Sequence, residues 1–261
     1  MYHRIEDMDK IPKNEQSDAR KAISVTPEIF KSQLDVLKQK GFETVNLDDI
    51  VEAIETQNKS FFNGKKVIIS FDDGYREHYD IAYPELKSRG FKGIFGVITE
   101  EISDKQSGSF SIITWDKLRE MQNNGMQIFA HSSSHCSLGS FKAQDGRPYQ
   151  DGGEYRKCDL NNQKEVDYGM VGFDMMPIKQ AEYELVQSRK LIFDKIGIDQ
   201  PYFMFPYGAY SEEIFDIMFQ NGFKLGLGVG GGPDIDLNQP FVLNRVSVDD
   251  DTDLSDLADE Y

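Results

Sequence analysis

Short apolar runs alternate along this chain with longer stretches whose apolar positions recur every three or four residues. The runs predict strands at 2–5, 42–46, 67–71, 92–98, 126–130, 202–205, 224–229 and 241–248. The longer stretches predict helices at about 27–40, 48–57, 76–89, 115–124, 178–196 and 211–221. At five places a helix-like stretch ends on a glycine and an apolar run follows at once: Gly41, Gly90, Gly125, Gly197 and Gly222. A glycine there closes a helix because it adopts φ > 0 without a side-chain clash. Thr26-Pro27-Glu28 and Ser211-Glu212-Glu213 read as helix starts, a cap followed by acids at the positive end of the dipole. Helices alternating with strands predict a mainly parallel sheet, and continuous apolar runs suit strands covered on both faces. The expected fold is α/β, a distorted (β/α) barrel of TIM type with about seven or eight strands, and an open doubly wound sheet is the alternative.

Residues 138–177 break the rhythm. They are rich in Gly, Asp, Asn, Gln and Lys and show no period. A structureless stretch of that length predicts an insertion within one domain covering residues 1–261.

Composition narrows the function. Lys and Arg number 29 against 45 Asp and Glu, a net charge of −16. That balance argues against nucleic-acid binding, which rests on basic side chains meeting phosphate, and against docking on an anionic membrane. No stretch reaches the length of an apolar membrane span. The opening residues 1–7 lack the apolar centre of a secretory leader. Either the protein works inside the cell or the sequence starts past a removed leader. Two cysteines, Cys136 and Cys158, allow at most one bridge and set no redox compartment.

Three strand ends carry candidate chemistry. Ser70-Phe71-Asp72-Asp73-Gly74 places two adjacent carboxylates where a strand stops, the end that carries active sites in parallel α/β folds. Neighbours on an extended chain point opposite ways, so one acid can hold a metal while the other moves protons. A plain Asp-Gly turn is the alternative. His131 and His135 follow the strand at 126–130 and sit four apart, a spacing that suits two imidazole ligands. A carboxylate with two imidazoles leaves a coordination position open, as a hydrolytic zinc site requires. Met204-Phe205-Pro206-Tyr207-Gly208 ends a further strand in a rigid turn.

Together these strand ends resemble the polysaccharide deacetylase family, the NodB-homology or carbohydrate esterase family 4 domain. Ser70-Phe71-Asp72-Asp73-Gly74 matches its first motif and His131-Ser132-Ser133-Ser134-His135 its second. The third, Arg-x-Pro-Tyr, is matched only by Pro206-Tyr207, with Met204 in the arginine position. No histidine follows His135 to serve as the family's late general acid. Both departures resemble the branch acting on poly-β-1,6-N-acetylglucosamine, with Tyr2-His3 at the start and Phe205-Pro206-Tyr207-Gly208 as the third motif. The resemblance implies a divalent metal, zinc, on Asp73, His131 and His135, with Asp72 as general base and His3 as general acid. The Tyr207 backbone N–H would receive the oxyanion, with Pro206, Trp115 and Arg245 on the substrate side. Arg245 could supply the missing cation, against the plainer reading of a surface salt bridge. The implied partner is an acetylated polysaccharide in the envelope or outside the cell. Another acetylated glycan, or a glycan-binding barrel without turnover, is the alternative.

Three further features read as bland. His78 is expected to be a surface or core histidine rather than a ligand. The glycines from Gly226 to Gly232 lack the helix that a dinucleotide site needs after them. Cys136 is expected to be a small buried residue, since a thiolate ligand would close the open position.

Overall fold

The computed structural model describes residues 1–105, 112–138, 178–230 and 242–255; the predicted insertion falls almost wholly outside them. Among the described residues six strands form one sheet: β1 (Ser70–Phe71), β2 (Ile94–Val97), β3 (Gln127–Ala130), β4 (Tyr202–Met204), β5 (Leu225–Val229) and β6 (Val242–Arg245). They lie side by side in chain order and every pairing is parallel. Helices run between them and before them: α1 (Pro27–Gln39), α2 (Leu47–Glu55), α3 (Tyr83–Arg89), α4 (Trp115–Asn123), α5 (Ile178–Ile196) and α6 (Glu212–Gln220).

The predicted helices are all present. Thr26 caps α1 by accepting the Ile29 N–H, with Pro27 in the first turn. The five junction glycines adopt φ of 79, 72, 88, 86 and 69° at Gly41, Gly90, Gly125, Gly197 and Gly222, which ends each helix sharply. The predicted helix 76–89 starts as a π-helical stretch, His78–Ala82, before α3. Pro84 explains the change, because a proline ring has no N–H to donate and crowds the preceding turn.

Strand pairing alternates side chains between two cores. Ile94, Phe129, Tyr202, Met204, Leu225, Leu227 and Leu243 share one face with Leu47, Ile50 and Val51 of α2. Phe95, Val97, Ile128, Ala130, Phe203, Phe205 and Val242 point the other way, into the core that the remaining helices cover. Both faces are buried, which is why the strands read as continuous apolar runs.

The sheet curls into a half-barrel rather than a closed barrel of seven or eight strands. Five gaps between strands would hold the edges of a flat sheet about 24 Å apart. Instead Arg245 at the end of β6 hydrogen-bonds Asp72 just past β1, at 2.6 Å. Residues 1–2 lie between these edges: Tyr2 donates its N–H to the Ser70 carbonyl (2.8 Å), and Val248 donates to the carbonyl of Met1 (2.9 Å). Two expected strands pair elsewhere. Arg4–Ile5 pairs with Ser24–Val25, and Glu43–Thr44 with Lys66–Val67. The run 67–71 therefore splits, its first part serving the small ladder and its second the main sheet.

Candidate active site

The site lies at the C-terminal ends of the strands. Asp72 follows β1, and its backbone N–H donates to the Tyr2 carbonyl (3.0 Å). The next residue turns sharply, with Asp73 at φ 76° and Gly74 at φ 80°. The two carboxylates are thereby separated, as expected for neighbours at a strand end. Both are buried.

Asp72 is completed by the protein. Arg245 grips it with two parallel bonds, Nη1 to Oδ1 at 2.6 Å and Nη2 to Oδ2 at 2.9 Å. Its Nε donates to the Gly228 carbonyl (3.0 Å). Burial alone would raise the Asp72 carboxyl, but the Arg245 guanidinium, helped by His131 and His3, holds it below the ordinary carboxylate range. Arg245 is 7 % exposed, which rules out the surface salt bridge. Its donors face Asp72, Ser70 and a backbone carbonyl rather than open space where a sugar would lie. The Met204 side chain, in the family's arginine position, is buried in the α2-side core. The cation thus arrives from β6 instead of β4.

Asp73 is left incomplete. Its Oδ1 is buried without a hydrogen-bond partner and lies 3.3 Å from His131 Nε2 and 3.4 Å from His135 Nε2. His131 donates Nδ1–H to the Met204 carbonyl (2.8 Å), so its Nε2 presents a lone pair to the carboxylate. A buried carboxylate oxygen facing two ring nitrogens calls for a proton or a cation between them. Burial works to raise the Asp73 carboxyl, yet the three imidazoles around it hold it well below the ordinary range. Burial also pushes the His135 imidazole down to about 4, keeping it neutral and able to ligate. Donor atoms of Asp73, His131 and His135 lie within 4.8 Å of one another. The donor set, one carboxylate and two imidazoles, fits a divalent cation with room for further ligands.

Backbone strain collects at the same place. Asp73, Ser132, His135 and Tyr207 all adopt φ between 59 and 76° without being glycine. Such residues cost about 1–3 kcal/mol each and persist only where surroundings enforce them. The turn Pro206–Gly208 carries Tyr207, whose ring lies 4.6 Å from that of His135 and is 41 % exposed. Gly208 cannot carry a side chain, because a Cβ there would meet Val229 at 2.5 Å. Pro206 is buried beneath the turn.

His3 follows Tyr2, whose carbonyl accepts the Asp72 N–H, and its imidazole contributes to lowering both acids. Its carbonyl accepts the Nε2–H of His78 at 2.6 Å. His78 is a core histidine, packed among Phe71, Tyr75 and Phe95, and stands outside the ligand cluster. Trp115 corrects an expectation: it is 2 % exposed within the main core. As the first residue of α4 it faces inward with Leu118 and Met121, so it packs instead of touching substrate. Cys136 is fully buried and disulfide-bonded, which takes it out of any ligand set.

Two contributors escaped the sequence reading. The Met204 carbonyl fixes the His131 tautomer. Glu184 of α5 accepts from the Ser133 and Ser134 N–H groups at 2.9 Å each and from the Ser134 hydroxyl at 2.7 Å. Its signal was present: Ala181, Leu185, Ser188 and Ile192 form the buried stripe of α5, and Glu184 is a carboxylate on that stripe.

Comparison with known proteins agrees with this geometry. The polysaccharide deacetylase family model matches residues 59–226, more than half of the chain. The chain belongs to the polysaccharide deacetylase family. A putative polysaccharide deacetylase of Bacillus subtilis, YxkH, is 24 % identical over 227 residues, covering 87 % of this chain and 66 % of that protein. A poly-β-1,6-N-acetyl-D-glucosamine N-deacetylase of Staphylococcus epidermidis is 31 % identical over 134 residues, covering 49 % of this chain and 45 % of that one. The chain therefore spans less than two thirds of the length of these curated relatives. Among solved structures, the Streptococcus pyogenes deacetylase PplD in complex with acetate superposes with a TM-score of 0.72 at 20 % identity, covering 99 % of this chain and 94 % of that one. IcaB from Ammonifex degensii gives 0.68 at 22 % identity, covering 99 % and 93 %. At these identities the two structures establish the shared fold.

Proposed function

We propose that the protein is a metal-dependent deacetylase that removes N-acetyl groups from poly-β-1,6-N-acetylglucosamine and releases acetate. The observation that carries this reading is the pairing of two unlike carboxylates. Asp73 converges with two imidazoles on one point, and Asp72 beside it is held ionised by Arg245.

Asp73, His131 and His135 would hold the divalent metal, zinc, with their buried lone pairs. When bound, such an ion polarises an acetamide carbonyl and makes water more acidic. Asp72 would take the proton of the attacking water, its carboxylate kept charged and in place by Arg245. The Tyr207 backbone N–H would receive charge on the carbonyl oxygen as it develops. His3 would return a proton to the departing amine, leaving a glucosamine unit. The backbones of Tyr2-His3 and Asp72 run side by side, the Asp72 N–H donating to the Tyr2 carbonyl, which supports transfer within one bound acetamide.

Substrate choice is supported by the motif pattern, Tyr2-His3 with Phe205-Pro206-Tyr207-Gly208, and by the match to the Staphylococcus epidermidis relative. A polysaccharide of this kind places the work at the cell envelope or outside the cell. Among the described residues no helix is long and apolar enough to cross a membrane. The test is acetate release from β-1,6-linked N-acetylglucosamine oligomers by metal-stripped protein, before and after zinc is restored. Release only with zinc is the expected result. Metal uptake without release from these oligomers, with release from chitooligosaccharide, peptidoglycan or acetylated xylan, would overturn the substrate. Metal uptake without release from any of them would leave a binding protein.

A further inference from the structure

We infer that Glu184 is a positioning residue that holds the 131–135 loop in its metal-binding shape; the inference rests on the metal reading above. The loop needs an outside anchor. It contains two non-glycine residues in the left-handed region, Ser132 (φ 65°) and His135 (φ 61°), so its conformation is not one the chain would choose alone. Its internal bonds are few: the Ser132 hydroxyl accepts the His135 N–H at 2.7 Å. The neighbouring strand end adds two more, with Thr99 and Glu100 donating to the carbonyls of Ser132 and Ser133.

The N–H groups of Ser133 and Ser134 point the other way, toward α5. There Glu184 Oε2 accepts both the Ser133 and Ser134 N–H at 2.9 Å, and Oε1 accepts the Ser134 hydroxyl at 2.7 Å. One buried side chain therefore fixes two consecutive peptides that immediately precede His135. Two bonds to one oxygen and a third to the other leave the loop no freedom to slide or rotate about its ends. Glu184 is itself held: it is fully buried, and the next turn of α5 bonds back on it through Ser188, whose hydroxyl donates to the Glu184 carbonyl at 2.6 Å. Helix α5 thus supplies, through one carboxylate, the rigidity that a three-ligand site needs. Glu184 touches neither metal nor substrate; it acts through His135.

The variants Glu184→Ala, Glu184→Asp and Glu184→Gln separate positioning from general packing, with Leu185→Ala as a control on the same buried helix face. Cobalt(II) is the probe, titrated calorimetrically into the metal-free full chain, with the visible spectrum of the bound ion recorded. Glu184→Ala is expected to bind cobalt about 10–100-fold more weakly and to show an altered spectrum. Glu184→Asp, whose carboxylate is one carbon further back, should fall between it and the unsubstituted protein. Glu184→Gln keeps an acceptor for both N–H groups, and its amide can donate to the Ser134 oxygen. It should therefore restore both affinity and spectrum. Leu185→Ala should lower the melting temperature while leaving affinity and spectrum unchanged. Should Glu184→Ala fold poorly, the Asp and Gln pair carries the same comparison. Unchanged cobalt affinity and spectrum in Glu184→Ala and Glu184→Asp would overturn the inference, as would an equal loss in Leu185→Ala. A parent protein that takes up no cobalt would overturn the metal reading itself, and this inference with it.

Discussion

Asp72 and Asp73 are adjacent in the chain and equally buried, yet the protein treats them in opposite ways. Asp72 meets a guanidinium that satisfies both of its oxygens. Asp73 keeps one buried oxygen without a hydrogen-bond partner and faces the Nε2 atoms of two imidazoles. The difference shows where the fold has finished a charge and where it has left a place for one. A buried carboxylate paired with arginine is stable as it stands. A buried carboxylate facing two imidazoles needs a proton or a cation between them, so the same dipeptide offers one fixed base and one candidate ligand.

The largest effects should come from breaking that contrast directly. His131→Ala should lose both metal and acetate release, since it removes a ligand from the side the fold leaves open. Metal content after dialysis, read together with activity, checks it; full metal retention would sink the ligand assignment. Asp72→Asn should keep the metal and lose about 10²–10⁴ in turnover, the usual worth of a general base. Full activity in that variant would remove Asp72 from the mechanism.

Arg245→Met tests the finished side. It strands the Asp72 charge in a buried site, a change that costs roughly 3–5 kcal/mol. Asp72→Asn made in the same chain should recover much of that loss, and denaturant unfolding of the two variants measures it. If the double variant is no more stable than Arg245→Met alone, the arginine is holding the strands instead of the charge. The acid limb of the pH–rate profile should also move to higher pH in Arg245→Lys, where one ammonium replaces a bidentate grip.

The smallest effect concerns His78, which lies beside the site without joining either carboxylate. Burial pushes its imidazole down from 6.5 to about 4. The unfolded chain therefore takes up its proton first as pH falls. Stability present above pH 6.5 is lost on the way down to 4, by roughly 3 kcal/mol for this group. His78→Gln should flatten that limb of the stability curve in metal-free protein. An unchanged slope would assign the acid sensitivity to other groups.

Much of this arrangement could be read from residue order. Each glycine junction marked a helix end, and each of three apolar runs ended in a motif that reached the site. What could not be read was whatever depended on the curl of the sheet. Arg245 was visible as a cation, but its partner lies 173 residues away, and only bringing β6 round to β1 joins them. The strand count was obscured for a similar reason: the run at 42–46 pairs outside the main sheet, and of the run at 2–5 only Tyr2 bridges to it, at Phe71, while Arg4 and Ile5 pair elsewhere. Trp115 was misplaced because an aromatic at a helix start looks alike whether it faces a groove or a core. Glu184 sits on the apolar stripe of its helix, but charged residues on helices are ordinarily solvated, and its partners emerge only when α5 is laid against the 131–135 loop.

The meeting of β6 with β1 also sets a timetable for folding. During synthesis Asp72 emerges long before Arg245, and Tyr2 earlier still. Contacts of such long sequence separation form late and slowly. Until the last strand arrives, the outer edge of β1 has only Tyr2 beside it, and the Asp72 carboxylate lacks its arginine. A chain stopped before β6 would hold the ligands for a metal without the partner that fixes its base.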